Sequence, residues 1–387
     1  MKRPFFWIYC AAFINVLGSG MVAPLFPSLA VHLGTSPGTL GIIASCSALI
    51  QFMVAPVVGN FSDTHGRKKP LLFMLVMSAV GVLIMGNAVN LFMFIVGMAF
   101  FGFGGPAILP IALAYVSDLT SVAERSSYIS KVTAMFALGF MISPAIGGLL
   151  GDGHLAIPFY AAGILTLLNA VLMFIFLPES LSKSEIKIEK KRQFLHISAL
   201  IHGIRGEFGV IFFLTFLWAL YVSNYSFIIP FFTHDQYGFS AIQNGLLYSG
   251  VGLIAAITQW VAFPYLSKKL SDVKPVLIGL IFLSLGLVAI SLSPTPFFFL
   301  PFFALTVFGS AMVRPGLTTI LSKRVKDGQG VTMGLSSSFE SLGRVVGPVF
   351  FGYEFSHVGK SSPFLICSAL LGLGVFLFWK VEHKKKE

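Results

Sequence analysis

Long stretches of this chain carry no charge at all. Residues 71–85, 160–177 and 276–292 contain no Asp, Glu, Lys or Arg. A helix needs about 20 apolar residues to cross the hydrocarbon of a bilayer. Inside that layer every backbone amide and carbonyl must find its partner within the segment, so a chain built from such runs is expected to be helical. The soluble alternative fails on surface. Only 11% of the 387 residues are charged and 56% are hydrophobic, with a mean hydropathy of +0.87. A soluble domain usually carries about 25% charge. The expected class is an all-α integral membrane protein, with the lipid bilayer as its solvent.

Twelve transmembrane helices are expected, near residues 5–31, 40–58, 70–88, 91–116, 128–150, 156–178, 208–231, 240–263, 273–293, 297–322, 331–353 and 362–381. The widest gap, 179–207, divides them into an N-terminal six-helix bundle (1–178), a cytoplasmic linker (179–207) and a C-terminal six-helix bundle (208–387). The start "MKR" resembles a signal, but the apolar stretch from Phe5 to Val31 is long enough to span and shows no cleavage site. If the N-terminus is inside, 23 of the 26 Lys and Arg fall in inner segments. That bias predicts both termini in the cytoplasm of a plasma-membrane (inner-membrane) protein. It also accounts for the net charge of +11 without a nucleic-acid partner. Cys10, Cys46 and Cys367 all lie in apolar runs, which excludes a disulfide scaffold. No metal and no cofactor is expected.

The two halves repeat each other. Gly104, Pro110 and Ser117 have the spacing of Gly309, Pro315 and Ser322. Gly139, Pro144 and Gly148 have that of Gly343, Pro348 and Gly352. Gln51 and Pro56 match Gln259 and Pro264, and Pro24 matches Pro230. The offset stays between 204 and 208 residues. Transporters with parallel repeats bind substrate near the midplane, between the halves.

The segment "GNFSDTHGRKKP" is a polar island between two spans. Its Gly59, Asp63, Gly66, Arg67 and Lys68 fit Gly-x-x-x-Asp-x-x-Gly-Arg-Lys, and here the chain resembles the major facilitator superfamily. The resemblance covers the whole chain through span count, loop and repeat. Gly66 permits a tight turn. Aspartate suits a helix N-terminus, and arginine can hold a carboxylate bidentately. The resemblance places Asp63 near the start of helix eleven and Arg67 with Asp118 at the end of helix four. Such contacts would bias a two-state equilibrium.

Two further stretches resemble the twelve-span drug–proton antiporters. "LGSGMVAPLFP" matches a first-helix pattern through Leu17, Gly18, Pro24 and Pro27. "GFMISPAIGG" matches the fifth-helix antiporter motif through Gly139, Pro144, Gly147 and Gly148, with Ser143 in place of one glycine. Glycines let helices approach closely and proline bends the helix. Two departures stand beside these matches. Met98 occupies the position of the family's fourth-helix arginine, and Asn15 that of the first-helix acid of tetracycline-type pumps. The usual proton-handling groups of the N-terminal half are therefore absent.

Of the fifteen carboxylates, Glu340 alone lies well inside a span. Intramembrane ionisable residues are functional candidates. Arg314 and Arg344 are its expected partners, either in a fixed ion pair or in proton coupling. The resemblance implies a cavity lined by helices one, four, seven and ten. Asn15, Trp218, Tyr221, Asn224 and Tyr225 are the candidate substrate contacts there, an aromatic set suited to amphiphilic molecules.

No phosphate-binding G-x-x-x-x-G-K-[ST] occurs, and no paired histidine–carboxylate motif sits in a span, so no catalytic residue is named. The expected function is a monomeric secondary transporter, not an enzyme. It would export a small amphiphilic molecule (drug, siderophore or metabolite) by antiport with protons. Proton-coupled uptake of a small organic solute and a membrane-embedded enzyme are the alternatives.

Overall fold

The computed structural model describes residues 3–105, 108–180, 203, 204, 206, 208–325 and 329–384. Most of the expected linker, 179–207, therefore lies outside the described residues. Among the described residues, eleven helices are long and apolar enough to cross a membrane. They are α1 (Phe5–His32), α2 (Pro37–His65), α3 (Lys68–Gly86), α4 (Leu91–Asp118), α5 (Ser127–Gly151), α6 (Ala156–Phe176), α7 (Gly209–Tyr237), α8 (Ala241–Leu270), α9 (Val273–Ser291), α10 (Pro296–Arg324) and α12 (Ser362–His383). Between α10 and α12 runs α11 (Gln329–His357), of equal length but more polar, with "SSSFES" and Arg344 in its middle. That polarity separates it from the other eleven.

Proline shapes several helices. In α1 the helix breaks after Gly20, and Pro24 sits in a short 3-10 turn before Pro27 restarts it. In α8 a π-helical segment, Thr258–Ala262, precedes Pro264. A proline lacks the amide and crowds the carbonyl four residues back, and one wide turn absorbs both defects.

The chain forms two compact units. Unit 1 holds residues 1–35, 46–194 and 239–252; unit 2 holds 36–45, 195–238 and 253–387. Unit 1 has a core of Phe5, Ile8, Leu71, Met74, Tyr115, Val116 and Met173. Unit 2 buries Tyr221, Leu283, Phe299, Val313 and Phe364. Large apolar side chains such as Phe73, Phe92, Phe174, Leu285, Phe297 and Phe376 remain exposed. A patch of that kind has to be covered, and lipid tails cover it at no polar cost.

Each unit takes in a short piece of the other sequence half, and the two pieces are held alike. In unit 1 the amide of Ala145, next after Pro144, donates to Ser249 Oγ at 3.2 Å. In unit 2 the amide of Val349, next after Pro348, donates to Ser45 Oγ at 2.9 Å. A methyl group on Gly245 would collide with the Pro144 carbonyl, and one on Gly41 with that of Pro348. Donor, acceptor, proline and glycine all repeat at an offset of 204 residues. Glycine here allows backbone-to-backbone packing, which holds helices together where water provides no hydrophobic drive.

Candidate functional site

The polar island builds a brace in unit 1. Gly66 turns the chain with φ +94°, a conformation that disfavours side chains. It is also crowded: a methyl group there would meet the Glu179 carboxylate at 2.5 Å. The turn delivers Arg67 into a nearly closed site with its side chain 11% exposed. Its Nε donates to Asp118 Oδ2 at 3.0 Å, one Nη to Ser62 Oγ at 2.9 Å, and the same Nη to Asp63. Burial opposes the charge on Arg67, but the bonds to Asp118 and Asp63 outweigh it and raise the guanidinium above its ordinary range. Ser180 Oγ adds a 2.9 Å bond to Asp118.

The structure thus brings Arg67, Asp63 and Asp118 together. Asp63 is 60% exposed and pairs with Arg67. The residues just before α11, 326–328, lie outside the described residues, so its expected partner there is not seen. The carboxylate at a helix N-terminus is instead Glu179, which the sequence reading did not single out. It accepts from the amides of Arg67 at 2.7 Å and Lys68 at 3.1 Å, at the start of α3. Lys68 Nζ donates to the Phe174 carbonyl at 2.7 Å. Gly59 stands in open space, and no packing there requires a glycine.

The antiporter-motif face of α5 seats other backbones. A methyl group on Gly139 would meet the Phe13 carbonyl at 2.8 Å, while Gly147 faces Met21 and Gly148 faces Ala241. Ser143, the departure from the motif, has its own compensation. Its hydroxyl fills the space that a side chain at Gly20 would need. In the first-helix motif, Gly18 abuts the Ala162 carbonyl and Thr166, Pro24 and Pro27 are buried, and Leu17 is half-buried.

The charged cluster of unit 2 lies midway along α10 and α11. Glu340 Oε2 receives Arg314 Nε at 2.8 Å and Nη2 at 2.6 Å, and Oε1 receives Arg344 Nη2 at 2.9 Å. Arg314 also donates to Thr318 Oγ1 and lies over the Trp218 ring, 5.8 Å from its centre. Trp218 is fixed in turn by Nε1–H bonds to Ser310 Oγ at 3.0 Å and to its carbonyl at 3.2 Å. Both oxygens of a deep carboxylate are therefore held by cations, the condition under which such a group stays ionised.

The five expected substrate contacts divide. Tyr221 and Asn224 are enclosed: the Tyr221 hydroxyl donates to Thr306 Oγ1 at 3.1 Å, and Asn224 Nδ2 to the Pro363 carbonyl at 2.9 Å. Trp218 and Tyr225 are half-buried, and the Tyr225 ring is 5.6 Å from that of Tyr221. Asn15 belongs to unit 1, where it lines a small apolar pocket with Ile8, Ala12 and Asn169.

A helical membrane protein with a repeated, glycine-seated helix plan and an ion cluster midway along two packed helices has the parts of a carrier. Comparison with known proteins specifies the kind. The family model of the Major Facilitator Superfamily matches residues 8–269 and 211–387, and the chain belongs to that family. It is 28% identical to "Multidrug resistance protein 1" of Bacillus subtilis (strain 168), over 97% of this chain and 95% of that one. It is 24% identical to "Quinolone resistance protein NorA" of Staphylococcus aureus (strain MSSA476), over 100% and 98%. A solved bacterial homologue of the human lysosomal transporter Spinster shares the fold, with TM-score 0.82 at 11% identity over 98% and 96%. The chain is a multi-pass membrane transporter of a family that includes drug-resistance proteins, and not an enzyme.

Proposed function

We propose that this protein exports small amphiphilic molecules across the plasma membrane in exchange for protons, by alternating access of two six-helix bundles, 1–178 and 208–387. On this reading α11 is the twelfth span, both termini are cytoplasmic and the monomer is the working unit. The resistance proteins it is similar to support the direction, and so does the glycine-seated α5.

Glu340 carries the coupling half of this reading. It is the one carboxylate midway along a span among the described residues. A carboxylate held by two arginines does not take up a proton. Proton exchange therefore requires a second conformation in which Arg314 or Arg344 has withdrawn, and that requirement ties protonation to the transport step.

The test is Glu340→Gln in inverted vesicles. A coupling residue would lose proton-driven transport and keep substrate exchange. Equal loss of both, with lowered thermal stability, would reduce Glu340 to a structural clamp. Full proton-driven transport would end the coupling reading. Solute movement in the opposite direction would end the export reading.

A further inference from the structure

We infer that Arg344 is the docking point for the acidic group of the transported molecule, so that the substrates are amphiphilic organic monoanions. This rests on the transport reading above and names its substrate class.

Charge stoichiometry within unit 2 carries the inference. Away from the helix ends, α7 to α12 hold three charged residues: Arg314, Arg344 and Glu340. Two cations share one anion, which leaves a charge of +1 midway along the spans. The two arginines are not equivalent. Arg314 spends Nε and Nη2 on Glu340 and Nη1 on Thr318, and its flat face lies over Trp218. Among the described residues Arg344 makes a single bond, from Nη2 to Glu340, and its side chain is 53% exposed. A guanidinium has five N–H donors in a planar fork that fits a carboxylate. Most of that fork is uncommitted, at a depth where an unpaired charge is costly.

The surroundings select the rest of the ligand. Arg344 shares the α11 face of Glu340 and so points toward the region bounded by Arg314 of α10 and Trp218 of α7. Tyr225 of α7 is half-buried and lies two turns from Trp218 on the same side of that helix. Tyr221 between them is enclosed, its ring 5.6 Å from that of Tyr225, so Trp218 and Tyr225 are the rings left half-open on that side of α7. A single acidic group on an aromatic or apolar body would complete the charge balance and cover these rings. A cation would meet a net positive site. A neutral analogue would leave Arg344 unpaired, which is the kind of mismatch that discriminates most strongly.

The experiment uses three probes with one skeleton: 1-pyrenebutyrate, 1-pyrenebutanol and 1-pyrenebutylamine. Binding to the purified full chain in detergent micelles is followed by energy transfer from tryptophan to pyrene. The wild type should bind the carboxylate at least tenfold more tightly than the alcohol or the amine. Arg344→Gln should remove that preference by weakening carboxylate binding at least tenfold, and should bind the alcohol at least as tightly as the wild type does, because no cation is left unpaired; cooperative thermal unfolding of the variant shows that it is folded. Glu340→Gln raises the cluster to +2 and should tighten carboxylate binding severalfold. A purely structural cluster would instead lose binding in both variants alike. Equal or weaker binding of the carboxylate by the wild type, no binding of any probe, or a preference that survives Arg344→Gln would overturn the inference. Anion-selective binding without proton-driven transport in vesicles would sink the coupling reading and leave this one standing.

Discussion

The brace of unit 1 has a counterpart in unit 2 at an offset of 205 residues, and its charges are reversed. Arg67 stands just before α3 and pairs with Asp118 at the end of α4. Asp272 stands just before α9 and pairs with Lys323 at the end of α10, at 2.5 Å. Even the turn repeats. Gly66 has φ +94° and its counterpart Ser271 has φ 70°. The repeat has kept a bridge between two helix ends and the turn that aims it, and has let the residue types exchange.

The exchange changes the physics. A helix N-terminus favours an anion and a C-terminus a cation. Asp272 and Lys323 are placed with those dipoles, Arg67 and Asp118 against them. Unit 1 contains what the reversed placement needs. The Glu179 carboxylate covers the first amides of α3, and Arg125 Nη2 donates to the Ser117 carbonyl at the end of α4, at 3.1 Å. The outcome is a buried network in one unit and an exposed pair in the other. Arg67 is 11% exposed and Lys323 64%. The brace of unit 1 is therefore expected to carry the greater share of stability.

The sharpest way to break this comparison is Arg67→Ala. Removing one partner of a buried ion pair leaves the other charge uncompensated, at a cost of about 3 kcal/mol. Chemical unfolding in mixed micelles should show that loss, and Arg67→Lys should recover less than half of it, because one ammonium cannot reach Asp118, Asp63 and Ser62 together. A loss below about 1 kcal/mol would put this brace in the class of ordinary surface pairs.

The turns provide a second test with opposite signs. Gly66→Ser should cost about 2 kcal/mol, since it adds backbone strain and drives a side chain into Glu179. Ser271→Gly should stabilise by about 1 kcal/mol, because it removes the strain of a non-glycine residue at positive φ. If both substitutions move stability the same way, the two turns are not equivalent and the repeat ends at the helices.

The spans and the loop arginine were readable because each is a local signal: an uncharged run, or a charge where charges are rare. Pairing Arg67 with Asp118 came from family resemblance rather than from periodicity. Glu179 was not readable, because nothing in "LPES" marks a carboxylate that folds back more than a hundred residues onto α3. Ser45 and Ser249 were within reach. They repeat at the same offset as Pro144 and Pro348, but a serine in an apolar helix gives no sign of its role until the proline-freed amide beside it is seen. For Tyr221 and Asn224 helical spacing gave a face, yet whether that face meets a cavity or another helix depends on packing that spacing does not encode.

The smallest effect is expected from Lys323→Ala. The pair with Asp272 has good distance and favourable dipoles, but the lysine is mostly in solvent, where an ion pair contributes about 0.5 kcal/mol. Removing it strands no fully buried charge, because the Asp272 side chain is 25% exposed and stands at the N-terminus of α9, where the dipole favours an anion. The loss should shrink further in high salt, since exposed pairs are screened over about 3 Å at 1 M. The loss in Arg67→Ala should persist there, because the guanidinium and its partner Asp118 are largely closed to solvent. Stability of both variants measured at low and high salt therefore separates the two braces in one experiment. Equal salt sensitivity would mean that burial does not distinguish them, and that the reversed charges of unit 1 work as a surface pair despite Glu179 and Arg125.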